Sequence, residues 1–161
     1  MKLDELHEPA NNLLLGIIPE SDLNRVFSCR DCDIDPSFLG FVGIYKNLSE
    51  MIPEHFTVID FGCCYAPQCH FFTNHKKYIG VDFLTKERFS TTNTEHFEMS
   101  IAEFISTQFC KMNIDINQCF AICSYVPPWG GDNMKFVRDT FINVFTFYPS
   151  GSEKAFINNK K

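Results

Sequence analysis

Two short apolar runs that each close on an aspartate constrain this chain more than any other feature: Phe56-Thr-Val-Ile-Asp60 and Lys77-Tyr-Ile-Gly-Val-Asp82. Runs of this length with little polar alternation fit strands buried on both faces, as in a parallel sheet. Gly62 breaks the first run, and Pro67 can open a helix to about Asn74 before the second run begins. The alternation continues. His96-Phe-Glu-Met99 predicts a third strand. Ser100-Ile-Ala-Glu103 reads as a capping box for a helix to about Cys110. Cys119-Phe-Ala-Ile-Cys-Ser124 predicts a fourth strand. Asp132 or Asn133 caps a helix through Phe141, and Asn143-Val-Phe-Thr-Phe-Tyr148 predicts a fifth strand. Strands separated by helices imply right-handed crossovers and a mainly parallel sheet. Such sheets take ligands beyond the carboxyl ends of their strands, so a site should draw on Asp60, Asp82, Met99, Ser100, Ser124, Tyr125 and Tyr148.

Upstream, Asp35-Pro36 offers an N-cap and a first-turn proline. Phe38, Leu39, Val42, Tyr45, Leu48 and Met51 then recur at helical spacing until Pro53, which predicts a helix over 36–51. A chain of 161 residues suits a single domain. Its expected parts are an N-terminal helical segment and lid (1–55), a core (56–148) and a tail (149–161). Hydrophobic residues make up 45% of the chain, 18 of them Phe, which excludes a disordered polymer. No apolar run is long enough to span a bilayer, and the N-terminus lacks the apolar segment of a secretory signal, so the expectation is a soluble cytoplasmic protein. The net charge of −6 argues against sequence-independent nucleic-acid binding. The eight cysteines are then expected to be reduced, with Cys119 and Cys123 in the core. Cys29 and Cys32 have metal-ligand spacing without a second such pair, which leaves a metal or redox reading as the weakest of three.

The turn between the two runs reads Asp60-Phe-Gly-Cys-Cys-Tyr-Ala-Pro-Gln68, with Asp82 roughly twenty residues beyond Asp60. This stretch resembles the first two cofactor motifs of class I S-adenosylmethionine-dependent methyltransferases, in a small and truncated form. The resemblance implies a three-layer α/β sandwich with a mainly parallel five-stranded sheet in the order 3-2-1-4-5, and it implies S-adenosylmethionine as cofactor. Asp60 would attract the methionine ammonium, directly or through water. Gly62, Cys63, Cys64 and Tyr65 would form the turn beside it, and N–H groups of the next helix would meet the carboxylate. Asp82 would accept both ribose hydroxyls. The resemblance alone places Ser100 and Ile101 beside the adenine. Cys64 and Ala66 stand where the family has glycines, so the turn must keep φ negative there or be strained. The alternative is a strand, turn and helix without a ligand, in which Asp60 caps or binds backbone amides. The dinucleotide fingerprint is not met, since its frame reads Gly62-x-Cys64-x-x-Pro67.

Ser124-Tyr-Val-Pro-Pro-Trp129, at the fourth strand's end, resembles the Pro-Pro-aromatic motif of amino-directed methyltransferases. Ser124, Tyr125, Pro127 and Trp129 are the implied catalytic positions, while Val126 replaces the polar acceptor. The equal alternative is a rigid turn anchored by Trp129. The family's closing hairpin is not expected in 149–161. The outer edge of the fifth strand should then be covered by the N-terminal 35 residues, by the tail, or by a second copy in a homodimer. The methyl acceptor is unknown: a small molecule, a base or a protein side chain. The competing function is a catalytically inactive fold serving as a protein-binding module.

Overall fold

The computed structural model describes residues 36–83, 87–124, 131–147 and 154–158. Helix α1, Pro36–Met51, runs over the predicted span. Tyr45, Leu48 and Ile52 recur three and four apart and are buried, so one face of its C-terminal half docks on the sheet. The strands are β1 (Thr57–Phe61), β2 (Lys77–Asp82), β3 (Thr94–Glu98), β4 (Cys119–Ser124), β5 (Asn143–Phe147) and β6 (Lys154–Asn158). They form one sheet in the order β3-β2-β1-β4-β5-β6. β1 to β5 are mutually parallel in the expected order, and β6 joins antiparallel to β5. Of the three covers proposed for the edge of β5, the tail supplies one: Lys154 pairs with Phe147 and Asn158 with Asn143.

β1 runs one residue past the predicted end at Asp60. Phe61 still has parallel partners in Val81 and Cys123, and the Gly62 N–H donates to the Val81 carbonyl at 2.9 Å. Asp60 therefore lies inside the ladder and not at its tip. β3 starts two residues earlier than predicted. As an edge strand it is only half-buried, so its polar residues blur the apolar signal. The segment after Pro67 is a six-residue 3₁₀ turn, Pro67–Phe72, and not an α-helix. The helix capped by Ser100 begins as α2, Ile101–Glu103. It widens to a π turn over Phe104–Gln108 and tightens to a 3₁₀ turn at Phe109–Lys111. Helix α3 spans Gly131–Thr140.

Side chains alternate across each strand and sort into two cores. One holds Tyr45, Leu48, Ile52, Val58, Tyr78, Phe120 and Ile122 between the sheet, α1 and the 3₁₀ turn. The other holds Ile59, Phe61, Ile79, Val81, Ala121 and Cys123 with Phe104, Val137 and Phe141 from the opposite helical layer. The same parity puts Asp60 and Gly80, which are register partners, on the α1 side.

Gly80 is small for a packing reason. A Cβ there would stand 2.5 Å from His96 Nδ1 and 2.8 Å from Cys63 Sγ. The His96 ring cannot easily yield, because its Nε2 is bonded to the Phe89 carbonyl at 2.7 Å. Gly80→Ala is expected to cost about 1–3 kcal/mol, the usual penalty of overpacking, read as a lower urea midpoint at unchanged slope.

Candidate functional site

The turn between β1 and the 3₁₀ segment alternates in hand. Gly62 has φ 78°, Cys64 φ 50° and Ala66 φ 57°. Of the two conformations open to Cys64 and Ala66, the chain adopts the strained one, at about 1–2 kcal/mol for each residue bearing a Cβ. Cross-links hold it. The Cys64 N–H donates to Asp82 Oδ2 at 2.9 Å, and the Ala66 N–H to the Cys63 carbonyl at 2.9 Å. Gln68 Nε2 donates to the Cys63 carbonyl at 3.0 Å and to Asp60 Oδ2 at 2.8 Å. Ala66 is fully buried, so its methyl group fills core space that a glycine would leave empty.

Asp60 and Asp82 occupy different environments. Asp60 has no exposure. Its Oδ1 bonds Tyr45 Oη at 2.8 Å; its Oδ2 accepts from Tyr78 Oη at 2.5 Å and from Gln68 Nε2. Burial raises its pKa from 3.8 to about 6 against the lowering effect of these three bonds, and the nearby Asp82 charge adds to the rise. The side chain expected to attract an ammonium is thus enclosed by three neighbours from α1, the 3₁₀ turn and β2. Asp82 is half-buried at the end of β2. Its carbonyl accepts from the Met99 N–H at 3.2 Å and from Arg88 at 2.9 Å. Arg88 also donates to the Phe97 carbonyl at 3.1 Å, tying the ends of β2 and β3 together.

Cys63 is buried, and its thiol is pushed well up by desolvation and then by the Asp60 and Asp82 charges, which disfavours a thiolate nucleophile. Tyr65 is half-buried against the α1-side core, and its carbonyl accepts from the Phe89 N–H at 2.8 Å. Ser124 is buried, with its Oγ 2.8 Å from Tyr45 Oη and 3.1 Å from the Gly62 carbonyl. Ser100 Oγ accepts from the Glu103 N–H at 3.0 Å, as a capping box requires, and Ile101 is buried in the far core. The Ala66 and Cys69 N–H groups, which could have met a ligand carboxylate, bond Cys63 and Ala66 carbonyls, and Pro67 has no N–H. Tyr125, Val126, Pro127, Trp129, Cys29, Cys32 and Tyr148 lie outside the described residues. Among the described residues, no group of three or more His, Cys, Asp or Glu side chains could hold a metal ion, and no helix is long and apolar enough to cross a membrane.

Sequence reasoning missed Tyr45, Gln68, Tyr78 and Arg88. Tyr45 and Tyr78 carried a signal, since each sits at a core-facing position and a buried phenol seeks a polar partner. Arg88, alone in a connecting loop, carried none.

No family model and no curated protein matches this chain. Among solved structures it is similar to a protein from Anaeromyxobacter dehalogenans provisionally assigned as a type II methyltransferase. The identity is 13%, with a TM-score of 0.47 over 66% of this chain and 46% of that one. The chain therefore spans less than half the length of that neighbour.

The left-handed turn yields a direct test. Cys64→Gly removes the Cβ clash and is expected to stabilise by about 0.5–1 kcal/mol after the extra entropy of glycine in the unfolded chain is counted. Cys64→Val should destabilise by about 1–2 kcal/mol, because a β-branched residue tolerates this backbone least. Denaturant midpoints of the three proteins check the order.

Proposed function

We propose that this chain binds S-adenosylmethionine and transfers its methyl group to an acceptor still to be identified. The observation that carries the reading is the pairing of an alternating left-handed turn after β1 with a half-buried carboxylate at the end of β2. In a 3-2-1-4-5 sheet this is the region where ligands enter, at the carboxyl ends beside the switch in strand order. Asp82 has the exposure and chemistry to accept the ribose hydroxyls, and its bond from the Cys64 N–H fixes its approach. Asp60 does not suit the ammonium, because three neighbouring side chains already surround it. On this reading cofactor affinity rests on Asp82 and the turn.

When bound, the sulfonium supplies an activated methyl group whose in-line displacement needs chiefly proximity and orientation. The acceptor would be read by the segment after β4, the Tyr125 to Trp129 stretch. The competing reading, a non-catalytic module for protein contact, draws on the enclosure of both Asp60 and Ser124. Calorimetry separates the two. Wild type should bind S-adenosylmethionine and S-adenosylhomocysteine with micromolar affinity. Asp82→Ala should lose roughly tenfold or more, the worth of one charged hydrogen bond at ~1.5–3 kcal/mol. Absence of heat at millimolar ligand, from protein with an unaltered melting curve, would leave the binding module as the surviving function.

A further inference from the structure

Four oxygens stand in a row: Asp60 Oδ1, Tyr45 Oη, Ser124 Oγ and the Gly62 carbonyl. The successive separations are 2.8, 2.8 and 3.1 Å. Three hydrogen bonds need three hydrogens. Tyr45 and Ser124 carry one each, and the Gly62 carbonyl carries none. With an ionised Asp60, Tyr45 must donate to the carboxylate. Ser124 can then donate to Tyr45 or to Gly62, but not to both. One contact is left as two lone pairs facing each other, or one bond is lost. With a protonated Asp60 the row closes completely: the carboxyl donates to Tyr45, Tyr45 to Ser124, and Ser124 to Gly62. Oδ2 still accepts from Tyr78 and Gln68.

We infer that Asp60 is a proton-carrying positioning residue, whose neutral carboxyl sets the Gly62 turn through a relay of two hydroxyls and whose ionisation releases one link of it. The surroundings agree. Asp60's hydrogen-bond partners, Tyr45, Tyr78 and Gln68, carry no positive charge that would hold it ionised. The groups facing Asp60 are Tyr45 from α1, Cys63 and Cys69 around the turn, Tyr78 and Asp82 from β2, and Cys123 from β4. Desolvation pushes both phenols and all three thiols up, Cys69 to about 12, so none of them ionises near neutrality. Asp82 contributes only further negative charge, which also favours the neutral carboxyl. With a folded-state pKa raised from 3.8 to about 6, the native protein holds a proton that the unfolded chain has released between those values. The stabilisation from this group is therefore complete below the lower value and is lost as pH rises through the upper one.

Asp60→Asn imitates the neutral carboxyl, since its amide N–H₂ donates to Tyr45 and its oxygen accepts from Tyr78 and Gln68. The expected result is a variant whose melting temperature matches wild type in acid and exceeds it progressively from pH 4 to 7. A variant less stable than wild type at pH 7 overturns the inference. A carbon-13 titration of the aspartate carboxyls in the wild-type protein reads the proton directly, even if the variant does not fold. One resonance should titrate well above the rest, and the Gly62 amide signal should shift with it. If every aspartate titrates in the ordinary carboxylate range, or Gly62 is indifferent to the raised one, the relay does not exist.

Discussion

A carboxyl group in the middle of a sheet, with no solvent on any side, sets the terms for the rest of this structure. Removing such a group from water costs several kcal/mol unless donors surround it. Asp60 collects them from three elements: Tyr45 on α1, Gln68 in the 3₁₀ turn and Tyr78 on β2. Each bond also fixes geometry. Tyr45 sets the rotation of α1, because only one face can present the phenol to β1 while Leu48 and Ile52 remain buried. Gln68 makes the chain fold back on itself within eight residues, and the left-handed conformations at Gly62, Cys64 and Ala66 accomplish that reversal. Loss of Asp60's donors would leave the carboxyl unsatisfied and remove the reason for the turn's shape.

The enclosure of Asp60 divides the two acids by role. One acts inward, joining helix, turn and sheet. The other, Asp82, keeps contact with solvent and holds the turn from its outer side through the Cys64 N–H. Arg88 steadies this rim from behind by bridging the ends of β2 and β3. Below about pH 6, where the proposed relay keeps Asp60 neutral, Asp82 is the only negative charge of the two at this end of the sheet. A ligand that carries its own carboxylate then meets less repulsion than it would from two ionised aspartates.

Much of this fold could be read from the sequence, for a physical reason. β1, β2 and β4 are covered on both faces and appear as unbroken apolar runs between glycine, proline and polar punctuation. The edge elements were less legible. β3 needs apolar groups on few positions, and Lys154-Ala-Phe-Ile-Asn158 is set too closely among polar residues to stand out as β6. The widening of the helix after Glu103 left no mark in the sequence either, because α, 3₁₀ and π turns draw on the same residues. At the site, the turn and both aspartates were visible, but the state of Asp60 was not. Its partners lie 8, 15 and 18 residues away, on other elements, and only the folded arrangement brings them together.

Burial also explains how a Cβ is tolerated in the left-handed conformation at Ala66. A left-handed alanine costs about 1–2 kcal/mol, yet a buried methyl returns about 0.8 kcal/mol. Ala66 has no exposure and packs beside Cys69 and Phe72, so much of its strain is offset where it arises. Cys64 is only half-buried, so less of its strain is offset; its backbone N–H bond to Asp82 is one that a glycine could make equally well. Glycines would reach this backbone without strain but would lose more conformational freedom on folding. A Cβ at either position penalises the left-handed form, so the bonds on either side are what hold the turn there. The shape of the turn is therefore set by the core beneath and by these bonds, and any ligand it accepts must fit that shape.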